Sequence, residues 1–157
     1  MNGEIENFEE VVAKGEELYK IFSPVRCPYL ECEVYFNALG LEHLKFKDRR
    51  KPRSRHDQYV RFKLLHLAPE VLKLSRTLQG IWETKHFERV RVHSRTDTIL
   101  KLVTYYEFIA ILKKVRVKVI VKQIDRGQVS FWSIIPFWGV NKETRHRKMY
   151  GGNPEED

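Results

Sequence analysis

Residues 114–136, KVRVKVIVKQIDRGQVSFWSIIP, constrain the fold more than any other stretch of the chain. Val115, Val117, Val119 and Val121 alternate with Arg116, Lys118, Ile120 and Lys122. A period of two predicts a strand with valines on one side and mostly cations on the other. Asp125-Arg126-Gly127 supplies a turn, with Gly127 free to take a positive φ. Val129 to Ile135 then returns as a second strand, with Ser130 and Ser133 among aromatics. A face of cations with a hydroxyl suits a phosphate-bearing ligand. The competing reading is an antiparallel sheet with one solvated face.

The chain ahead of this hairpin changes period. Residues 4–22 read as an acidic amphipathic helix with Ile5, Phe8, Val12, Leu18, Ile21 and Phe22 as its stripe. Ser23-Pro24 and Cys27-Pro28 break it. Cys32 to Phe36 is β-prone, and Gly40 to Phe46 predicts a short helix that carries His43. Pro52 makes the middle of the next segment a loop. Ser54 with Asp57 three residues on has capping-box spacing, so a helix begins near Arg55. Pro69 either kinks that helix or starts another. From Leu78 onward strands dominate, at Gly80–Glu83, Phe87–Ser94, Thr98–Leu112, Lys114–Ile124 and Val129–Ile135. This order predicts an α+β fold, with N-terminal helices packed on one face of a mostly antiparallel four- to six-stranded sheet. Residues 1–140 are expected to form a single domain, and 141–157 a polar, frayed tail.

Charge is unevenly placed. The chain carries +8, yet residues 1–20 hold six glutamates against Lys14 and Lys20, a net −4, so the remainder carries +12. Lys45 to Lys63 holds nine Lys or Arg and only two Asp. A basic body of this kind predicts a nucleic-acid partner, bound with counterion release. No segment is long and apolar enough to span a bilayer, so no membrane partner is expected. The N-terminus lacks a cationic start followed by an apolar run, which argues against a signal peptide and for a cytoplasmic protein. Cys27 and Cys32 form one C-x4-C with no second pair, and His43 is a conceivable third ligand without a fourth. Two reduced thiols are the expectation. The acidic first helix has two readings, an internal phosphate mimic or a cap on the core through Phe8, Val12 and Leu18.

No nucleotide-binding, zinc-protease or serine-hydrolase motif occurs, and the carboxylates lie mainly at the two ends. What the cationic body supports is metal-free acid–base chemistry, with no cofactor. RNA permits it, because its 2′-hydroxyl is a built-in nucleophile. Such a site needs proton carriers and cations for a dianionic phosphorane. His43 titrates in the right range. Ser133 supplies a hydrogen bond, and Tyr35, Trp132 or Trp138 a surface for a base. A non-catalytic nucleic-acid-binding module would use the same cations. A third reading is an interaction protein that docks a partner through its first helix or the apolar 98–112 segment.

VYFNALGLEHL (34–44), the basic loop with RFKLL (61–65), and VRVKVIVKQIDRGQVSFWSI (115–134) together resemble the phage-associated branch of the barnase–EndoU–colicin–RelE-like nucleases. The closing GGNPEED is also similar. The resemblance spans Val34 to Ile134 and implies a metal-independent ribonuclease-like fold, often a toxin, with a cognate antitoxin or immunity protein as partner. It assigns catalytic roles to His43, Arg61, Lys122 and Ser133. The expected nucleic-acid contacts are Arg49, Arg50, Arg53, Arg116, Lys118, Gln123 and Tyr35. Thr98 to Lys113 is longer and more apolar than the resemblance implies, so an extra strand or a helix is expected there. Lys122 and Gln123 point to opposite faces of a regular strand, so only a bulge brings both to one phosphate. The expected site has His43, Arg61, Lys122 and Ser133 on one concave cationic surface, with Arg50 and Arg53 on its rim.

Overall fold

The chain was analysed as a computed structural model that describes residues 7–48, 51–137 and 152–157. Helix α1 (Phe8–Ile21) buries Gly15 and Tyr19. Gly15 is small enough to let α1 approach Phe62, since a Cβ there would lie 2.4 Å from the Phe62 ring. Tyr19 donates to the Asn37 carbonyl oxygen at 2.5 Å. Its ring joins Phe22, Phe36 and Phe131, at centroid distances of 5.9 to 6.0 Å. Glu16 pairs with Lys45, and Glu10 with Lys14. Phe8 lies beneath the Arg55 guanidinium, 4.3 Å from ring centroid to Cζ. The described part of the acidic helix therefore sits as a cap on the core.

A small hairpin follows, β1 (Val25–Cys27) against β2 (Cys32–Val34), with Cys27 opposite Cys32 and both thiols free. Asn37 caps α2 (Ala38–Lys45), its Oδ1 accepting from Gly40 N at 3.1 Å. A second hairpin pairs β3 (Phe46–Asp48) with β4 (Lys51–Pro52). Helix α3 (Arg55–Leu64) starts where Ser54 Oγ accepts from Asp57 N at 3.1 Å. After a 3-10 turn at Leu65–Leu67, Pro69 lies in the first turn of α4 (Ala68–Leu74). Proline here starts a second helix, because the N–H it lacks has no intrahelical partner at that position.

The main sheet is a four-stranded antiparallel meander in the order β5 (Gly80–Val92), β6 (Arg95–Leu112), β7 (Val115–Ile124), β8 (Val129–Pro136). The two candidate strands at 80–83 and 87–94 are one strand, and the apolar 98–112 segment is most of β6, to its C-terminal end. Residues 95–101 of β6 pair only with β5, so that hairpin projects past the rest of the sheet as a two-stranded ribbon. In the β7–β8 turn it is Asp125, not Gly127, that takes the positive φ, at 52°. Its Oδ1 accepts from Leu102 N at 2.9 Å, which holds that conformation.

Val117, Val119 and Val121 join the helices in the main core, together with Phe108, Phe131 and Ile134. The other face of β7 differs from the solvated cationic face expected. Lys118 and Ile120 are also buried, with Val103, Tyr105, Trp82, Ile124 and Trp132 around Ile120. Lys118 pairs with Glu107 at 3.2 Å, which makes its burial affordable. Among the described residues no helix is long and apolar enough to cross a membrane.

Helix α2 packs on β8 through Gly40, where an added Cβ would lie 2.5 Å from the Phe131 carbonyl oxygen and 2.7 Å from the Tyr19 hydroxyl. Gly40→Ala is expected to cost about 1–3 kcal/mol by overpacking. The urea midpoint should fall with little change in slope. An unchanged midpoint would mean that the helix is free to move off the strand.

Candidate functional site: a buried arginine pair at the β8 edge

Two arginines and one aspartate organise the site. Arg53, Asp57 and Arg61 are spaced by four, which brings them together along one side of α3, from just before its first turn to its last. Arg61 is fully buried, at 0% exposure, and its Nε donates to Asp57 Oδ1 at 2.8 Å. Arg53 Nη1 reaches Asp57 Oδ2 at 3.4 Å. Asp57 thus holds two guanidiniums with one carboxylate, and the cluster stays net positive. Burial of this charge is tolerable only because each guanidinium has several acceptors.

Strand β8 brings the next two groups. Ser133 pairs with Ile120, but Phe131 pairs with Val121, so Trp132 is an extra residue in the ladder. In a regular strand, residues 132 and 133 would face opposite ways. This bulge turns both to the same neighbours. Trp132 Nε1 donates to the Glu155 carbonyl oxygen at 3.1 Å, and Ser133 Oγ to the Asp157 main-chain oxygen at 2.6 Å. Phe131 and Ile134 meanwhile stay in the core. Arg61 Nη1 donates to Ser133 Oγ at 2.5 Å and also to the Asp157 main-chain oxygen. The Ser133 hydroxyl therefore accepts from arginine and donates onward.

His43 stacks on Trp132, with centroids 3.9 Å apart and planes 18° apart. Arg53 grips it twice, with Nε donating to the His43 carbonyl oxygen at 2.9 Å and Nη2 lying 3.0 Å from Nε2. A guanidinium only donates, so Nε2 accepts and the neutral ring carries its proton on Nδ1. Burial, reinforced by Arg53, Arg61 and Lys122, pushes the His43 imidazole down to about 2. Lys122 Nζ sits over the Trp132 ring, 4.1 Å from its centroid. A cleft of about 550 Å³ opens beside these groups, lined by His43, His86, Tyr105, Lys122, Trp132 and Lys47, among others.

The structure thus brings together His43, Arg61, Ser133 and, across Trp132, Lys122, but not on the concave surface expected: Arg61 and Ser133 are fully buried, and of the four only His43 and Lys122 line the cleft. Arg53 was expected on the rim but lies inside, 8% exposed. Lys118 is buried and paired to Glu107, near enough to Asp157 to stabilise its carboxylate. The remaining expected contacts lie elsewhere. Arg116 is exposed six residues along β7 from Lys122, about 20 Å away along a strand. Gln123 faces away from Lys122, accepting from Tyr106 at 3.3 Å and donating to Gly127 O at 3.0 Å. The bulge that would have joined the two is in β8 instead. The Tyr35 hydroxyl turns to Glu33 at 3.2 Å, while its backbone bridges to Ser130. Trp132 has one face on His43, so it is a support for the histidine and not a platform for a base. Arg49, Arg50 and Trp138 lie outside the described residues.

Three features went unrecognised in the sequence. Asp57 bridges the arginines as well as standing in the cap of α3, a role its i±4 spacing announces. Tyr105 and His86 reach the cleft from β6 and β5, with no local signal. Of the tail expected over 141–157, residues 152–157 are placed against the site, and Asp157 is only 5% exposed. Residues 141–151 lie outside the described part of the chain.

The depressed His43 has a consequence for stability. The unfolded chain takes up this proton near pH 6.5 and the folded protein does not. Stability is therefore complete above about pH 6.5 and falls as pH drops below it. His43→Gln should lose less stability than the parent from about pH 7 to about pH 5, the difference approaching about 1.4 kcal/mol per pH unit. The His43 ring resonances should show no titration over that range. A ring that titrates near 6.5 in the folded protein would contradict this burial.

Comparison of the chain with protein-family models, with curated proteins and with solved structures finds no match, so what this site does is argued from its own geometry.

Proposed function

We propose that the protein acts on RNA, with Arg53, Arg61, Lys122 and Ser133 taking a phosphodiester and neutral His43 accepting the 2′-hydroxyl proton at Nε2, once Arg53 turns from that nitrogen to the phosphate, in metal-independent cleavage. The observation that carries this reading is the convergence of Arg61 Nη1 and Ser133 Oγ on a single oxygen. A buried guanidinium and a hydroxyl aimed at one point are what a non-bridging phosphate oxygen requires. They are worth more as its charge grows toward a phosphorane, because the surroundings are already desolvated. The excess of cations over Asp57 and the wider basic surface supply attraction at longer range. A base must be unprotonated to act, and His43 is.

One observation favours a second reading, a nucleic-acid-binding module without catalysis. The low affinity of His43 for a proton makes it a weak base and also closes the acid role, and a leaving 5′-oxygen needs a proton donor. The two readings separate in one experiment. Incubation with RNA in EDTA should yield fragments ending in 2′,3′-cyclic phosphate, and His43→Gln should slow that cleavage by about 100-fold or more. RNA that is bound but never cleaved would leave the binding module.

Binding itself has a signature that both readings share. Affinity should fall steeply with salt, and Lys122→Gln should lower the slope of log affinity against log salt by about 0.7, one phosphate's worth for a single strand. A slope unchanged by this substitution would remove Lys122 from the interface.

A further inference from the structure

We propose that residues Asn153–Asp157 are an intramolecular occupant of the arginine pocket, seated where an RNA phosphodiester would bind, and that RNA engages the pocket only when this segment leaves. The proposal rests on the reading of the pocket as a phosphate site.

Three consecutive residues of the segment present their main-chain oxygens to site side chains. Trp132 Nε1 donates to that of Glu155 at 3.1 Å, Arg53 Nη2 to that of Glu156 at 2.7 Å, and Arg61 and Ser133 both to that of Asp157. The carboxylates add to this. Glu155 Oε1 lies 2.9 Å from His86 Nε2, and Glu156 Oε2 lies 3.5 Å from Lys47 Nζ. Residues 152–157 thus carry three acidic side chains and no basic one, the sign and charge density of a nucleic-acid backbone. They hold the groups that the proposed phosphate would need, so segment and RNA exclude one another.

The seat is built for release as much as for occupancy. The segment makes its own turn, with Asn153 Oδ1 accepting from Glu155 N at 3.1 Å. The Asn153 carbonyl oxygen accepts from Glu156 N at 3.0 Å and Asp157 N at 2.8 Å. It adds no strand to the sheet. Asp157 Oδ2 is buried without a hydrogen-bond partner, and burial raises the affinity of that carboxyl for a proton. An unsatisfied buried acceptor works against the seated state. A weak contact is nonetheless occupied when it is tethered, because the effective concentration of an intramolecular ligand is high.

The test compares three proteins by anisotropy with a labelled single-stranded RNA in EDTA: the parent, a variant lacking residues 152–157, and E9Q/E10Q/E17Q. The last removes the same number of carboxylates from the exposed side of α1 and controls for net charge. The deletion should bind RNA about tenfold or more tighter than the charge control, and a peptide of sequence GNPEED at about millimolar concentration should reverse the gain. Hydrogen exchange on the intact chain gives a second readout, and it decides the matter where the deletion fails to fold. Saturating RNA should remove protection from the Glu156 and Asp157 amides. A folded deletion that binds no tighter than the control, or loses binding, overturns the proposal, as does exchange unaltered by RNA. Arg53→Gln in the deletion background tests the underlying reading separately. Weakened RNA binding there upholds the phosphate site even if the segment proves to be no occupant, whereas unchanged binding removes the site itself.

Discussion

The buried guanidinium of Arg61 is the interaction on which the rest of this structure depends. A charge at 0% exposure is tolerable only with acceptors on several sides. They come from distant parts of the chain: Asp57 one helical turn earlier, Ser133 from β8, and the main-chain oxygen of Asp157. The arginine is therefore a joint between helix, sheet and acidic segment. Substituting it by an apolar residue would strand Asp57 and Ser133 together, so effects on folding and on ligand binding at this position are inseparable. Lys122, which lines the cleft, is the position where a substitution disturbs the interior least.

The pocket also illustrates how one irregularity places two residues. Without the bulge at Trp132, the indole and the Ser133 hydroxyl would face opposite sides of the sheet. With it, Trp132 supports the His43 ring while Ser133 completes the oxygen-binding pair. The histidine is thereby fixed between an indole and a guanidinium, and its neutrality follows from that confinement. Proximity to cations and the ability to carry a proton pull against each other here, and the cations win.

Features governed by local spacing were legible in the sequence. The alternation in β7, the Ser54 cap of α3, the short helix around His43 and the order of helices before strands all rest on contacts within a few residues. His43, Arg61 and Ser133 were expected near one another through the resemblance, but on a concave surface and not in the interior where they lie. What escaped was long-range. Nothing near Lys118 says that Glu107 lies opposite it, so a buried ion pair reads as a wet cation. Nothing near Tyr35 says that its hydroxyl turns to Glu33. The acidic run at 155–157 reads as a solvated end, because its partners lie 20 to more than 100 residues away. Charge complementarity between that run and the basic body was the one available hint, and it was weighed for the first helix alone.

The projecting β5–β6 ribbon has a consequence of its own. Over residues 95–101, β6 has a neighbour on one side only, and β5 is the outer strand throughout, so the ribbon shows bare edges on both sides. It also exposes Phe87, at 73%, together with Ile99 and Leu100. Such edges template strand addition from other chains. Exposed Arg89, Arg91 and Arg95 stand along the same ribbon and make two copies repel. The basic character of the chain thus doubles as protection against self-association. That protection is electrostatic, so it fades as the screening length shortens. Concentrated salt is therefore the condition in which its copies are freest to stick to one another.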